Sequence, residues 1–479
     1  MHRLFAAALA WSCWLGLVVS AWAQSAKTPL DEYVHRPDPS YRWKVVRTAR
    51  DGNLTVFVVD MISQSWRSPK EVNRTQWQHW LIVLVPDKVK YDTALLYIGG
   101  GRNGGRPPGG ADSMLHMIAK RSGGVVAMLR MVPNQPLVFH GDGKPRVEDD
   151  LVSYTWVQYL KTGDPTWPAR NPMVKSAVRA MDTITALLAQ KQAGGHRVDK
   201  FVVAGASKRG WTTWLTGAVD DRVVAIAPIV IDVLNMQRSM HHHWAAYGFW
   251  APAVDDYVRT EIFSWFGSQE LLNLQKLVDP YFYRHRLRKP KYIMNSAGDQ
   301  FFLPDSSQFY FDDLPGEKYL RYYPNSDHGL KGTTAPQDLL AWFVMIARGT
   351  PRPNITWRYR DAHTLEVTAS TAPVKVLLWQ ATNPEKRDFR LEALGPKYVS
   401  RPVEPTGHGV YRVRVPDPPQ GWTAYFLEFA FDVGAGVPWH ITTPVRVVPE
   451  TLPFKNKKFP MTRGTRPARS LPAGSGMGR

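Results

Sequence analysis

A serine hydroxyl becomes a competent nucleophile when an imidazole accepts its proton, and a carboxylate must hold that imidazole in the right tautomer. The chain offers such a set in three separated places. Ser207 lies in Phe201-Val-Val-Ala-Gly205-Ala-Ser207-Lys208-Arg209-Gly210-Trp211, where a strand-like run passes through Gly-x-Ser into a helix-like run. Asp299 follows the apolar run 292–295 in Asn-Ser-Ala-Gly298-Asp299, and His328 follows the run 319–323 in Pro-Asn-Ser-Asp327-His328-Gly329. The order Ser, Asp, His is that of α/β-hydrolases, in which a tight strand-to-helix turn lifts the serine above a sheet. The first spacing, 92 residues, leaves room for an insertion, and the second, 29, fits one strand–helix–strand unit.

The elbow departs from the usual Gly-x-Ser-x-Gly pattern. Arg209 holds the place of the second glycine and Gly210 comes one residue later, so the reading rests on strand–turn–helix context, and a purely structural Gly-x-Ser turn is its alternative. Asp299 is preferred as the orienting acid. Asp232, after the run 223–231, is the competing candidate, and Asp327 reads as a loop cap. Oxyanion donors are expected from the backbone N–H of Lys208 at the helix start and from Gly100 and Gly101 in the run Gly99-Gly100-Gly101-Arg102-Asn103-Gly104-Gly105. The Lys208 side chain would add positive charge beside the serine. The glycine run is no phosphate cradle, because no Gly-Lys-Ser/Thr follows it.

These residues require a sheet that carries them on the ends of its strands. Residues 41–47 and 54–61, separated by Asp51-Gly52-Asn53, predict a hairpin. Runs 80–85, 93–98, 125–129, 201–204, 223–231, 292–295 and 319–323 read as strands. They alternate with helical patterns at 171–192, where Asn171 would be the cap and Pro172 the first helical residue, and at 208–219 and 336–347. Such alternation implies an α/β fold with a mostly parallel sheet. Residues 232–290 form an insertion dense in aromatics, among them Trp244, Trp250, Phe263, Trp265 and Phe266, and read as a cap. His241-His242-His243 is a poor metal site, since consecutive helical residues point apart; one of them contacting substrate is the better reading. Residues 350–450 carry strand-like runs at 355–360, 365–369, 374–379, 389–392, 410–415, 424–431 and 441–448, which predict a C-terminal β-sandwich of immunoglobulin or fibronectin type. The basic stretch 451–479 reads as a disordered tail.

The 479 residues are 44% hydrophobic and 21% charged, which excludes wholesale disorder. The net charge is +19, of which +7 follows Phe454. No nucleic-acid-binding motif accompanies it, so it reads as solubility and attraction to anionic surfaces or substrates. Residues 1–23 pair basic His2-Arg3 with an apolar run and end in Ala21-Trp22-Ala23, a signal-peptide pattern that predicts a secreted or periplasmic protein starting at Gln24; an uncleaved anchor is the alternative. Cys13, the sole cysteine, lies within that segment, so the mature chain has no thiol chemistry. No transmembrane segment is expected in it, and no cofactor or metal.

The chain also resembles a known family in the stretches 154–160 with Thr162-Gly163-Asp164, 173–182, 205–214, 278–283 and 298–307. These resemble the PhoPQ-activated pathogenicity-related protein family over roughly residues 40–350. The resemblance implies an α/β-hydrolase-like secreted protein, in a family that includes secreted signalling proteins. The Gly-x-Ser-Lys-Arg-Gly elbow is also similar to the Gly-x-Ser-Arg-x-Gly of glucuronoyl esterases. The expectation is therefore a secreted serine hydrolase, an esterase or peptidase forming an acyl-enzyme on ester- or amide-containing carbohydrate or peptide substrates. The rival is a non-catalytic binding or signalling protein on the same scaffold.

Overall fold

The computed structural model describes residues 27–459. The expected signal peptide with Cys13, its cleavage site and the end of the basic tail lie outside the described residues.

Among the described residues nine strands precede residue 350: β1 (Arg42–Asp51), β2 (Leu54–Ser65), β3 (Gln76–Pro86), β4 (Thr93–Ile98), β5 (Val126–Leu129), β6 (Lys200–Ala206), β7 (Val223–Ile229), β8 (Lys291–Ser296) and β9 (Lys318–Tyr323). They run in the order β1-β2-β3-β5-β4-β6-β7-β8-β9. The first three pair antiparallel, β3 meets β5 antiparallel, and all pairs from β5 to β9 are parallel. The hairpin between β1 and β2 closes on Gly52, whose φ of 58° suits a residue without a Cβ.

Successive residues of the parallel strands face opposite cores. Leu95, Val126 and Val202 pack with the helices Ser113–Ser122 and Ala335–Arg348, whereas Leu96, Ala127 and Val203 pack with Arg170–Leu188 and Lys208–Val219. Helices on both faces leave β5 and β8 buried along their whole length. This is the α/β-hydrolase plan, with a serine on the turn after a central strand. The helix expected at 171–192 runs Arg170–Leu188. Asn171 therefore sits inside its first turn, where its amide donates to Pro165 O at 2.7 Å instead of capping. The helix Glu148–Thr162 was not anticipated, nor was Ser113–Ser122. The insertion between β7 and β8 is helical, built on Met236–Tyr247, Asp255–Arg259 and Gln269–Val278. Among the described residues no helix is long and apolar enough to cross a membrane.

After residue 350 come β10 (Ile355–Tyr359), β11 (Thr364–Ala369), β12 (Lys375–Asn383), β13 (Val399–Pro402), β14 (Pro405–Gly407), β15 (Val410–Arg414), β16 (Trp422–Asp432), β17 (Pro438–Thr442) and β18 (Arg446–Val448). Strands β10-β11-β15-β14 form a separate antiparallel sheet, and its inner residues Leu365, Val367 and Val413 share a core with Leu378, Leu427 and Phe429 of β12 and β16. The opposing layer is no independent sheet. Through β17, which pairs with β9 at Thr442 and Leu320, the strands β17-β16-β12-β13, with β18 paired to β16, continue the central sheet to 14 strands. Buried Arg321 of β9 bonds Glu428 of β16, and the His440 imidazole lies 2.7 Å from Asp338.

Three local expectations need correcting. Residues 389–392 are a loop and the single turn Leu391–Leu394, not a strand. The run 441–448 is broken into β17 and β18 because Pro444 cannot donate to a ladder. The stretch from 451 to 459 is not loose. Phe454 N donates to Ala245 O at 2.9 Å, Lys457 Nζ to Gly248 O at 2.6 Å, and Phe459 packs 4.4 Å from the His241 ring. These contacts hold the stretch against the cap although most of its residues are exposed.

Candidate active site

Ser207 stands between β6 and the helix Lys208–Val219 with φ 57° and ψ −123°, a positive-φ conformation that costs energy in a non-glycine residue and marks a strained elbow. Its N–H donates to Ile229 O at 2.8 Å, which pins the turn to the end of β7. The two glycines of the motif serve close approach. A Cβ on Gly205 would lie 2.8 Å from Arg209 O, and one on Gly210 would lie 2.8 Å from Ile229 O and 2.9 Å from Gly205 O. Gly210 is thus the residue that lets the helix close on the strands, and the late glycine leaves the packing of the elbow intact.

Arg209, standing where the signature has glycine, turns toward the glycine loop. Its Nε donates to Val132 O at 2.5 Å, and its two terminal nitrogens donate to Glu148 at 2.9 and 2.6 Å. The guanidinium lies against Gly100, where a Cβ would meet Nη2 at 2.8 Å. Burial opposes ionisation of Glu148, but Arg209 and Lys208 outweigh it and bring its pKa down to about 2. In the glycine loop, Gly99 O and Gly100 O accept from Val132 and Met131 N–H, and Gly101 O accepts from Gln135 at 3.2 Å. Among the described residues the N–H groups of Gly100 and Gly101 donate no hydrogen bond. The Lys208 N–H opens its helix and lies outside the internal ladder. The Lys208 side chain departs from the expected free charge beside the serine. It is buried, with Nζ 2.6 Å from Asp149 Oδ2 and 3.3 Å from Glu148.

The acid and the histidine stand on loops after β8 and β9. His328 Nδ1 lies 2.8 Å from Asp299 Oδ2, and Asp299 Oδ1 accepts from Phe301 N–H at 2.7 Å. Gln300 Oε1 accepts from His328 N–H at 3.0 Å, and Ser296 Oγ donates to Ser326 O at 2.7 Å, so the two loops are stitched together. The C-terminal region completes this support. Leu391 N donates to Gly298 O at 2.9 Å, and a Cβ on Gly298 would lie 2.6 Å from Ser326 O. His328 Nε2 is buried and has no hydrogen-bond partner among the described residues. The Phe301 ring packs 4.4 Å from the imidazole and lines a cavity together with Ser207.

Asp232 stands apart from the imidazole in its hydrogen bonding. Both of its oxygens accept from tyrosine hydroxyls, Tyr310 and Tyr322, each at 2.6 Å. Burial drives its carboxyl up to about 7 against those two donors, and the Asp299 charge adds to the rise. Asp327 accepts from Gly329 N–H at 2.8 Å. The three consecutive histidines diverge. His241 faces Phe266 and Phe459, His242 Nε2 lies 3.0 Å from Asp305, and His243 Nε2 accepts from Ala251 N–H at 3.1 Å.

The cavity in front of Ser207 has a volume of about 50 Å³ and is mostly apolar, walled by Trp156, Met236, Met240, Phe263 and Phe301. At its polar end stand Asp149, Arg170, Lys208 and Tyr257. Sequence reasoning passes over Asp149 and Arg170, and reads Tyr257 only as one of the insertion's many aromatics. Asp149 sits in an acidic helix start that reads as dipole complementation, and nothing local distinguishes the other two.

A model of the PhoPQ-activated pathogenicity-related protein family matches residues 30–390. Autocrine proliferation repressor protein A of Dictyostelium discoideum is 36% identical over 469 residues, covering 91% of this chain and 94% of that protein. Among solved structures, the acetyl xylan esterase from Paenibacillus sp. R4 aligns with a TM-score of 0.48 and 14% identity, covering 67% of this chain and 96% of that one. Acetyl xylan esterase 1 from Thermoanaerobacterium sp. JW/SL YS485 aligns with 0.46 and 15%, covering 66% and 93%.

Proposed function

The chain belongs to the PhoPQ-activated pathogenicity-related protein family, and we propose that within it this protein is a secreted serine hydrolase. One observation carries the reading: an imidazole held by Asp299 at 2.8 Å whose other nitrogen is buried without a partner among the described residues, in a chain that holds Ser207 on a strained elbow. In the proposed reaction His328 Nε2 takes the Ser207 proton as Oγ attacks an ester or amide carbonyl. The N–H of Lys208 and those of Gly100 and Gly101 receive the oxyanion. The imidazolium then protonates the leaving group. Water, deprotonated by His328, releases the acid and returns the proton to Ser207. Export through the segment 1–23 fits this role.

A fluorophosphonate probe needs an activated serine but no knowledge of the substrate. Ser207 is expected to be labelled, with loss of labelling in Ser207→Ala and strong reduction in His328→Ala. Failure of phosphonates and β-lactones of several sizes to modify folded protein would overturn the reading. The name of the Dictyostelium relative, an autocrine proliferation repressor, favours a second one, a secreted growth-regulating signal. Under that reading Ser207→Ala protein keeps its effect on cell proliferation.

A further inference from the structure

The polar end of the cavity carries more positive than negative charge. Three cations, Arg170, Lys208 and Arg209, meet two carboxylates, Glu148 and Asp149. Lys208 is committed to Asp149 at 2.6 Å and Arg209 to Glu148 at 2.6 Å. Tyr257 donates to the remaining Asp149 oxygen at 2.9 Å. Arg170 has no such partner: among the described residues no carboxylate lies within ion-pair distance of it. It is 1% exposed, its Nη1 donates to Lys208 O at 2.9 Å, its guanidinium stacks 4.3 Å over Trp211, and its buried Nε bonds to nothing.

A guanidinium does not shed its proton, so this charge persists in the interior, where an unpaired charge is costly. Arg170 nevertheless lines the same cavity as Ser207, at the polar end of a lining that is largely apolar elsewhere. The missing element is one negative charge on an apolar body. We propose that Arg170 seats a carboxylate borne by the acyl part of the substrate, so that the preferred substrates are hemiesters of dicarboxylic acids or comparable acyl groups. An aliphatic or aromatic spacer would lie along Trp156 and the cap methionines, and the distal carboxylate would complete the ion pair. The assignment of this group as an acyl chain rests on the hydrolase reading, whereas seating of the carboxylate does not require turnover.

The test uses binding to full-length Ser207→Ala protein, followed by calorimetry. The ligands are the monomethyl esters of succinate, glutarate and adipate, each against its dimethyl ester. At least one monoester is expected to bind about 10- to 100-fold tighter than its neutral partner, the range of a charge-assisted hydrogen bond. Adding Arg170→Gln should remove that preference while dimethyl-ester affinity stays within about threefold, and Arg170→Lys should restore part of it. Equal binding of monoester and diester, no binding of either at millimolar concentration, or a preference that survives Arg170→Gln would overturn the proposal. If Arg170→Gln does not fold, the comparison of the two ligand sets on Ser207→Ala protein decides alone. Fluorophosphonate labelling of wild type reports separately on the hydrolase reading: labelling with no carboxylate preference sinks only this inference, and the preference without labelling sinks only the hydrolase.

Discussion

Replacing Asp299 with asparagine tests the site at the level of a single proton. In the native chain Asp299 Oδ1 accepts from Phe301 N–H and Oδ2 faces His328 Nδ1. The asparagine oxygen must take the Phe301 contact, because a backbone N–H cannot accept from an amide. The Nδ2 group then faces the imidazole and donates, so Nδ1 must lose its proton and Nε2 must carry it. An Nε2–H imidazole cannot accept the serine proton. The expected loss is about 10⁴-fold in kcat, equivalent to about 5.5 kcal/mol of barrier. The second-order rate of fluorophosphonate labelling at Ser207 measures it without a known substrate. Asp232→Asn is the matched control: its two partners are tyrosine hydroxyls, which accept as well as donate, so the amide is satisfied and the rate should change by less than about 10-fold. Labelling of folded Asp299→Asn within threefold of wild type, or a larger loss in Asp232→Asn, would refute the reasoning and reassign the acid.

Gly210→Ala places a Cβ 2.8 Å from Ile229 O, a backbone atom that cannot swing aside, and should lower stability by about 1–3 kcal/mol or more in thermal melts, whereas Gly109→Ala, with nothing within 4 Å, should stay within about 0.5 kcal/mol. Asp232 also predicts a pH effect. Its folded pKa of about 7 lies above the ordinary 3.8, so the folded state holds the extra proton between those values, and the stability from this group is lost as pH rises toward 7. The melting temperature of Asp232→Asn should therefore gain on wild type between pH 5 and pH 8; an unchanged difference would rule the linkage out.

Periodicity and turn chemistry made much of the scaffold legible. Strand β4 and the helix after Ser207 occupy the expected residues, because apolar runs bounded by turn signals and a Gly-x-Ser junction are local properties of the chain. The order of Ser207, Asp299 and His328 was equally readable, as was the aromatic insertion. Local signals favour Asp299 over Asp232 without deciding between them. Each follows a strand, and the choice depends on which carboxylate meets an imidazole 29 residues away and which is absorbed by two tyrosines. Nor could they foresee that the C-terminal strands extend the central sheet, since one β-bridge between Leu320 and Thr442 joins segments about 120 residues apart. The charge balance at the cavity was likewise out of reach. Lys208 reads as a free cation beside the serine until Asp149 and Glu148, some 60 residues earlier, are brought against it. Arg170 reads as an ordinary helix-start arginine until folding buries it with no carboxylate of the described residues in ion-pair distance. Local conformation follows from neighbours in sequence, but pairing of charges is settled by which side chains the packed core forces together, and that is a property of the tertiary structure alone.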